Sequence, residues 1–347
     1  MNKLVIGGKE ISEKSPTFIV AEIGQNHNGD MNIARQLIDV AKEAGVDAVK
    51  FVKRDIESEL TREQYNKPYD NPNSFGETYG KHREYLELSV EQHRELKEYA
   101  NSKGLIYFSS ACDIKSVNDM EEIGVPAYKI ASRDLTNIPL IEYIAKIGKP
   151  MILSTGMATL EDIDDAVNTI RKYHNDFALL HCTSEYPTPY EHVNLRRIFT
   201  LKKRYDCIVG SSDHTIGIMI PVVAVALGAK IIEKHITLHR YMKGTDHAGS
   251  LEPDGIKRVV RDIRNFEIAL GSDKFELRDY LFKSRNKLAR SLVSKKEIKK
   301  GEVLVEDMLT LKSPGTGLLW RERYKILGKV ANRDIECDVT LKEEYFD

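Results

Sequence analysis

Eight short apolar segments alternate with amphipathic helical patterns between residues 17 and 237, and this alternation limits the folds open to the chain. Continuous apolar runs are typical of strands buried on both faces, and a helix between two strands indicates a parallel connection. The candidate strands are 17–23, 46–51, 104–109, 127–131, 150–154, 177–182, 207–211 and 229–235. Eight such units predict a (β/α)8 TIM barrel. The alternative is an open doubly wound sheet, although no GxGxxG follows the first strand.

The helical patterns between these strands often end at glycine, the residue that most readily closes a helix. Helices are predicted at 32–44, 90–102, 115–123, 138–146, 160–173 and 216–227. A last barrel helix is predicted at 256–270, closed by Gly271.

The pattern of apolar and polar residues changes after residue 271. Residues 272–287 are charged and lack a clear period, which predicts a linker. Residues 288–347 contain short β-type runs separated by turns, which predict a small β-rich domain. A domain of roughly 60 residues is marginally stable alone, so we expect it to pack against another surface. The predicted organisation is a barrel domain at 1–271, a linker at 272–287 and a C-terminal domain at 288–347.

Composition argues against several classes of function. The 52 basic and 53 acidic residues nearly cancel, so any site for an anion must be local rather than a property of the whole surface. No apolar run approaches the roughly 18 residues of a membrane span, and MNKLVIGGKE lacks the features of a signal peptide. The four cysteines are scattered without a CxxC pair, which predicts free thiols in a reducing cytoplasm.

Polar residues follow or end nearly all the predicted strands. In a parallel barrel the carboxyl ends of the strands meet at one mouth, where active sites lie. The last strand ends in Glu233, Lys234 and His235, and we expect these three side chains to face a polar site rather than the core. Lys50 and Lys129 lie in apolar context, where a lysine needs an anionic partner or a lowered pKa.

A substrate carboxylate or phosphate would provide that partner. Hydroxyl groups near the strand ends would complete an anion site together with backbone N–H groups at helix starts. These hydroxyls belong to Ser110, Ser132, Ser154 and Ser184. His214 and His235 end neighbouring strands and could share one divalent metal, although two ligands alone make a weak signal. The absence of HEXXH and HxH argues against ordinary zinc hydrolases.

Eight motifs occur in a fixed order along the barrel region, and a further set occurs in the tail. The barrel motifs are AEIGQNHNG (21–29), VKF (49–51), PAYKIAS (126–132), GKPMILSTGM (148–157), HCTSEYPTP (181–189), SDHTIG (212–217), EKHITL (233–238) and GTDHAGSLEP (244–253). The tail contains ARSLV, IKKGEVLVEDMLTLKSPGTG and LGKVA. Over essentially the whole chain, these motifs resemble the sialic acid (N-acetylneuraminate) synthase family with its C-terminal antifreeze-protein-like (SAF) domain.

The resemblance implies a phosphoenolpyruvate-dependent transferase. Such an enzyme joins phosphoenolpyruvate to an open-chain N-acylated hexosamine, typically N-acetylmannosamine, and yields a nine-carbon 2-keto sugar acid and phosphate. It also implies a Mn²⁺ or Mg²⁺ ion held by His214 and His235, which polarises the sugar aldehyde. The family arrangement further implies a domain-swapped homodimer, in which the small domain of one chain caps the barrel mouth of the other.

The resemblance also assigns residues to roles. The implied catalytic residues are Glu22, Lys50, Lys129 and His235. The implied phosphoenolpyruvate contacts are Lys50, Ser110, Lys129, Ser132, Ser154, Ser184 and Ser212. The implied sugar contacts are Glu22, Asp134, Tyr186 and Asp246.

Five positions depart from the family pattern, and they leave the acceptor sugar open. They are Val52, Arg133, Glu185, His239 and Ser313. A diacetamido-trideoxyhexose, leading to legionaminic or pseudaminic acid, is one alternative acceptor. Lys53, Arg54 and Arg133 suit a phosphorylated or acidic acceptor, or are simply solvated or ion-paired. Other readings are a synthase of seven- or eight-carbon acids, a non-catalytic carbohydrate-binding relative and a metal-dependent hydrolase.

Overall fold

The structure, a computed structural model, describes residues 3–347. The chain divides into two compact units between Gly271 and Ser272. Among the described residues, no helix has both the length and the hydropathy needed to cross a bilayer.

The first unit is a closed barrel of eight parallel strands, preceded by an antiparallel hairpin of β1 (Lys3–Ile6) and β2 (Lys9–Ser12). The barrel strands are β3 (Phe18–Gly24), β4 (Ala48–Lys53), β5 (Ile106–Ala111), β6 (Tyr128–Ile130), β7 (Met151–Ser154), β8 (Phe177–Cys182), β9 (Ile208–Asp213) and β10 (Ile231–His235). Strand β10 pairs with both β9 and β3, which closes the ring. The predicted TIM barrel is confirmed, and each predicted segment overlaps one barrel strand.

Helices surround the barrel and connect its strands. They are α1 (Met31–Ala44), α2 (Ile56–Glu59), α3 (Arg62–Asn66), α4 (Tyr79–Tyr85), α5 (Val90–Ser102), α6 (Ile114–Ile123), α7 (Ile138–Ile147), α8 (Leu160–Arg171), α9 (Tyr190–Val193), α10 (Arg197–Tyr205), α11 (Met219–Ala226) and α12 (Pro253–Leu270). The prediction missed α2, α3 and α4, which lie between β4 and α5. These helices have four, five and seven residues, too few to show a hydrophobic period.

Two apolar layers fix the barrel. One lies between the strands and the surrounding helices, and the other fills the barrel interior at the amino ends of the strands. The N-terminal hairpin contributes Leu4, Ile6 and Ile11 to the interior layer and so closes that end of the barrel. The opposite end, where the strands finish, is therefore left for polar side chains.

Strand β10 shows how alternation sorts the three charged residues at its end. Glu233 and His235 line the cavity at the barrel mouth, whereas Lys234 does not. Lys234 is 0% exposed, and its Nζ lies 2.5 Å from Asp213 Oδ2 and 2.5 Å from the carbonyl oxygen of Thr215. The expectation that all three residues face a polar site was wrong for Lys234, because successive strand side chains point to opposite faces.

Replacing Lys234 with methionine is expected to lower the free energy of unfolding by about 3–5 kcal/mol, because Asp213 would remain buried without its cation. Urea unfolding measures this change. The matched control is Lys146→Met, which removes an exposed helical ion pair with Glu142 and should cost less than about 1 kcal/mol. A Lys234→Met loss as small as that of the control would contradict this account of the buried pair.

The second unit has its own small core. Strands β11 (Ser291–Ser294) and β12 (Leu309–Lys312) pair antiparallel, and isolated bridges join further segments. The core contains Leu292, Ile298, Leu304 and Leu341 with other apolar side chains. The segment predicted as a linker includes part of a helix, α13 (Asp279–Leu288), none of whose residues is buried.

Candidate active site

A cavity of about 330 Å³ opens at the carboxyl ends of the barrel strands. Twelve of the thirteen residues singled out from the sequence line it. These are Glu22, Lys50, Ser110, Lys129, Ser132, Ser154, Ser184, Tyr186, Ser212, His214, His235 and Asp246. Asp134 is the exception: it is buried beside the cavity-lining Arg133, with its Oδ2 3.5 Å from Arg133 Nε. The cavity therefore contains side chains from every strand of the barrel or from the loop that follows it, as expected for the carboxyl ends of parallel strands.

Two lysines and two carboxylates occupy the floor of the cavity, and all four are buried. Lys50 Nζ lies 2.5 Å from Glu22 Oε2, 3.8 Å from Glu233 Oε2 and 3.1 Å from Ser110 Oγ. Lys129 Nζ donates to Ser154 Oγ at 2.7 Å and lies 3.7 Å from Glu233 Oε1. Glu233 thus stands between the two ammonium groups, and Ser212 Oγ donates to it at 2.9 Å.

The two carboxylates differ in protonation because their surroundings differ. Burial raises the pKa of Glu22 to about 7, against the opposing effect of Lys50. Burial acts in the same direction on Glu233, but Lys129 and Lys50 outweigh it and lower the pKa of Glu233 to about 2. Burial also lowers the pKa of Lys129. The site therefore holds one permanently ionised carboxylate and one that exchanges a proton near neutral pH.

The hydroxyls of Ser132 and Ser184 lie close to residue 156, and they leave room for a ligand because that residue is glycine. Ser132 Oγ accepts a hydrogen bond from the backbone N–H of Gly156 at 3.0 Å. A Cβ atom at residue 156 would lie 2.4 Å from Ser184 Oγ and 2.8 Å from Ser132 Oγ. Those separations are shorter than van der Waals contact, so any side chain would crowd the serine hydroxyls.

His214 and His235 lie next to each other in the cavity wall, with ring centroids 5.2 Å apart. Nδ1 of His214 lies 2.8 Å from the carbonyl oxygen of Thr183; that oxygen accepts, so Nδ1 carries a proton, and in the neutral ring Nε2 is the nitrogen with the free lone pair. Nδ1 of His235 is buried without a hydrogen-bond partner and lies 3.9 Å from Asp246 Oδ2. Burial and the neighbouring His214 hold the pKa of His235 well below its usual range. Tyr186 packs against both imidazoles.

This pair has the chemistry of a two-ligand metal site. A neutral imidazole with a free lone pair is a common ligand of divalent ions. Within residues 3–347, no three or more His, Cys, Asp or Glu side chains lie close enough together to hold one metal ion. A metal held here would therefore keep positions open for water or substrate.

Sequence reasoning missed part of the cavity wall. Gln25 and Arg83 line the cavity but were given no role, and Glu233, although placed at the mouth, was given none either. Arg83 lies on α4, far in sequence from any strand end, so no pattern in the chain signals its position.

The family departures are divided between the cavity and other surfaces. Val52 and Arg133 line the cavity, whereas the other three positions do not. Glu185 is paired with His192, and the ring of His239 stacks on Tyr241. Ser313 lies in the second unit.

Comparison with known proteins places the chain in a family. Its sequence matches the NeuB family over residues 37–275 and the SAF domain over residues 289–344. The N-acetylneuraminate-9-phosphate synthase of Homo sapiens is 40% identical over 342 residues, spanning 98% of this chain and 95% of that protein. The N,N'-diacetyllegionaminic acid synthase of Campylobacter jejuni is 39% identical over 331 residues, spanning 94% of this chain and 99% of that protein.

A solved structure of a sialic acid synthetase is also similar to this chain. The N-acetylneuraminic acid synthetase of Leptospira borgpetersenii, in complex with citrate, matches with a TM-score of 0.72 and 36% identity over 81% of this chain and 94% of that one. The resemblance drawn from the motifs is confirmed: the chain belongs to the NeuB family and carries a SAF domain at residues 289–344.

Proposed function

We propose that this protein is a nonulosonic acid synthase, which condenses phosphoenolpyruvate with the open-chain form of an N-acylated hexosamine. The products are a nine-carbon 2-keto sugar acid and phosphate. One observation carries the proposal: two buried lysines with serine hydroxyls share a single cavity with a pair of histidines. The relatives named as synthases of neuraminate phosphate and legionaminic acid support it.

Lys50 and Lys129 bind the enol ester in this proposal. Phosphoenolpyruvate carries nearly three negative charges, and Glu233 alone offsets only one of the two ammonium charges once Glu22 is protonated. The hydroxyls around Gly156 and Ser154 add neutral donors to the same anion site. Binding in fixed geometry brings C3 of phosphoenolpyruvate next to the sugar aldehyde and lowers the entropic part of the barrier.

The reaction then proceeds in three bond changes. C3 of phosphoenolpyruvate attacks the aldehyde carbon, a C–C bond forms, and the aldehyde oxygen takes a proton. Water adds to the resulting cation at C2 and releases a proton. The tetrahedral intermediate collapses to the 2-keto acid as the C–O bond to phosphate breaks and the proton of the new C2 hydroxyl leaves with the phosphate.

His214 and His235 would hold the metal, Mn²⁺ or Mg²⁺, in this site. When bound, such an ion would supply Lewis-acid polarisation of the sugar aldehyde. Thr183 fixes the ring of His214 through its carbonyl oxygen. Tyr186 packs against both rings and, together with Asp246, is proposed to orient the sugar.

Glu22 is the group we propose to move the protons. As a neutral acid it donates to the aldehyde oxygen during C–C bond formation, and as a carboxylate it recovers a proton from the attacking water. One side chain thereby serves both steps, and the proton count closes. Glu233, which stays ionised, keeps both lysines in place between turnovers.

Because Glu22 must begin protonated, kcat/KM is expected to fall as pH rises through about 7, the pKa to which burial raises this group. The Glu22→Gln variant should have a much lower kcat/KM that no longer falls across this range. Initial rates of phosphate release between mildly acidic and mildly alkaline pH measure both profiles. An unchanged alkaline limb in Glu22→Gln would show that another group is responsible.

Phosphate release from phosphoenolpyruvate, assayed with divalent metal and a panel of acetamido sugars, tests the proposed function. We expect release that depends on the sugar. No release with any six-carbon amino sugar would exclude the function. A diacetamido-trideoxyhexose belongs in the panel, because a legionaminic acid synthase is among the relatives.

The proposal extends to assembly and setting. Helix α13 and the residues before it expose large apolar side chains, among them Phe275, Tyr280 and Leu288, and a homodimer would cover them. Sedimentation of the full chain distinguishes dimer from monomer.

The proposed setting is the reducing cytoplasm. Free thiols suit it, and the four cysteines are free: Cys112, Cys182, Cys207 and Cys337.

A further inference from the structure

Three arginines form a second charged region of the cavity, apart from the two lysines. We call Arg54, Arg83 and Arg133 the arginine cluster; all three line the cavity. Arg54 and Arg83 are 4% and 6% exposed. Exposed ion pairs contribute little to stability, whereas burying a guanidinium group is costly unless an anion pairs with it.

The partners of the cluster do not use all its donors. Glu59 accepts from Arg83 at 2.9 Å and also lies 3.4 Å from Arg133 Nη1, so one carboxylate serves two guanidinium groups. Arg54 Nε donates to Glu87 at 2.8 Å. Nε of Arg83 is buried without any hydrogen-bond partner.

The charge of the cluster is also incompletely balanced. Lys53 lies 3.7 Å from Glu87 and shares that carboxylate with Arg54, although Lys53 itself does not line the cavity. Burial, followed by repulsion from Arg54 and Arg133, lowers the pKa of Arg83. Asp134, the remaining acidic neighbour, lies 3.5 Å from Arg133, so three carboxylates face the three arginines and Lys53. An anion entering here would relieve this repulsion.

The cluster lies across the mouth from the histidines. Arg54 and Arg133 follow strands β4 and β6, whereas His214 follows β9 and His235 ends β10. A chain of polar side chains connects the two regions. Asp246 lies 3.9 Å from His235, Gln25 Nε2 donates to Asp246 at 3.2 Å, and Gln25 Oε1 accepts from Arg54 at 3.4 Å. A sugar bound with its aldehyde at the histidines, as in the proposed function, would therefore extend toward the arginines.

We propose that the arginine cluster binds a phosphate monoester at the end of the acceptor sugar opposite the aldehyde, so that the acceptor is a phosphorylated N-acylhexosamine. Planar guanidinium forks match the oxygens of phosphate, and three of them suit a dianion better than a neutral hydroxyl. The inference rests on the proposed function and names its substrate. It also excludes a trideoxyhexose that lacks the terminal hydroxyl needed to carry the phosphate.

The test compares N-acetylmannosamine 6-phosphate with N-acetylmannosamine in the full chain, with phosphoenolpyruvate and Mn²⁺ present. Wild-type kcat/KM should be higher for the phosphorylated sugar by about 100-fold or more. Arg133→Gln and Arg83→Gln should each reduce this ratio by about 10- to 100-fold. Arg133→Lys should recover part of the ratio, because it restores charge without the planar fork.

The matched control is Arg94→Gln, an exposed arginine paired with Glu122, which should leave the ratio unchanged. Arg133 retains 34% of its side-chain exposure, so its variants test the inference even if Arg83→Gln fails to fold. Equal activity on both sugars, a preference for the neutral sugar or a trideoxyhexose, or a ratio unaffected by Arg133→Gln would overturn the inference and leave the proposed function intact. Absence of phosphate release with every sugar would instead overturn the proposed function.

Discussion

Replacing Lys129 with methionine is expected to lower kcat/KM for phosphoenolpyruvate by about 10²- to 10³-fold, since truncating one partner of a buried charge pair costs several kcal/mol. Among residues 3–347, Lys129 is one of two lysines that line the cavity. The same substitution removes the cation that most lowers the pKa of Glu233 and leaves Lys50 3.8 Å from that carboxylate. Initial rates across a range of phosphoenolpyruvate concentrations, at saturating sugar, measure the effect.

The matched control is Lys53→Met. Lys53 is a similarly buried lysine at the end of β4, but it lies outside the cavity and donates to the carbonyl oxygen of Arg54. We expect its KM for phosphoenolpyruvate to stay close to that of the wild type. If Lys129→Met and Lys53→Met have equal effects on that KM, the proposed enol-ester site is wrong.

Replacing His235 with alanine is expected to weaken binding of Mn²⁺ by at least about 100-fold, because even outer-shell changes at metal sites cost 10- to 100-fold. Activity should fall by about 10³-fold or more, since Lewis-acid assistance is worth several kcal/mol. Titration of Mn²⁺ followed by electron paramagnetic resonance gives the affinity without reference to turnover. His214→Ala should behave in the same way, because each ring supplies one ligand.

His174 provides the control for this pair. It lies just beyond α8, outside the cavity, and its Nδ1 accepts from the backbone N–H of Asp176. His174→Ala should bind Mn²⁺ as tightly as the wild type. Unchanged Mn²⁺ affinity in both His214→Ala and His235→Ala would remove the metal from this account.

The barrel could be predicted because its cause is local. Each strand is an apolar run set between helical patterns, and parallel strands must end at a common mouth. The same rule placed Lys50 and Lys129, whose apolar flanks already demanded an anionic partner. The same rule was wrong for Lys234, because a position at the end of a strand does not determine which face of the strand the side chain occupies. That face is determined by the alternation of side chains along β10.

The arginine cluster could be predicted only in part, for a physical reason. Arg54 follows a barrel strand and was noticed as local positive charge. Arg83 reaches the cavity through contacts that no periodicity encodes: its Nη1 donates to Tyr79 and its Nη2 to Glu59. Both partners belong to the segment between β4 and α5, whose short helices depend on tertiary packing.

In the proposed reaction, one cavity joins phosphoenolpyruvate to a sugar aldehyde and releases phosphate by C–O cleavage. Phosphoenolpyruvate carrying a heavy-oxygen label in its bridging C–O–P position tests it directly, with mass spectrometry of both products. We expect a 2-keto acid three carbons longer than the sugar, with the label entirely in the released phosphate. Label retained in the sugar acid, or phosphate released without any lengthened sugar, would contradict it.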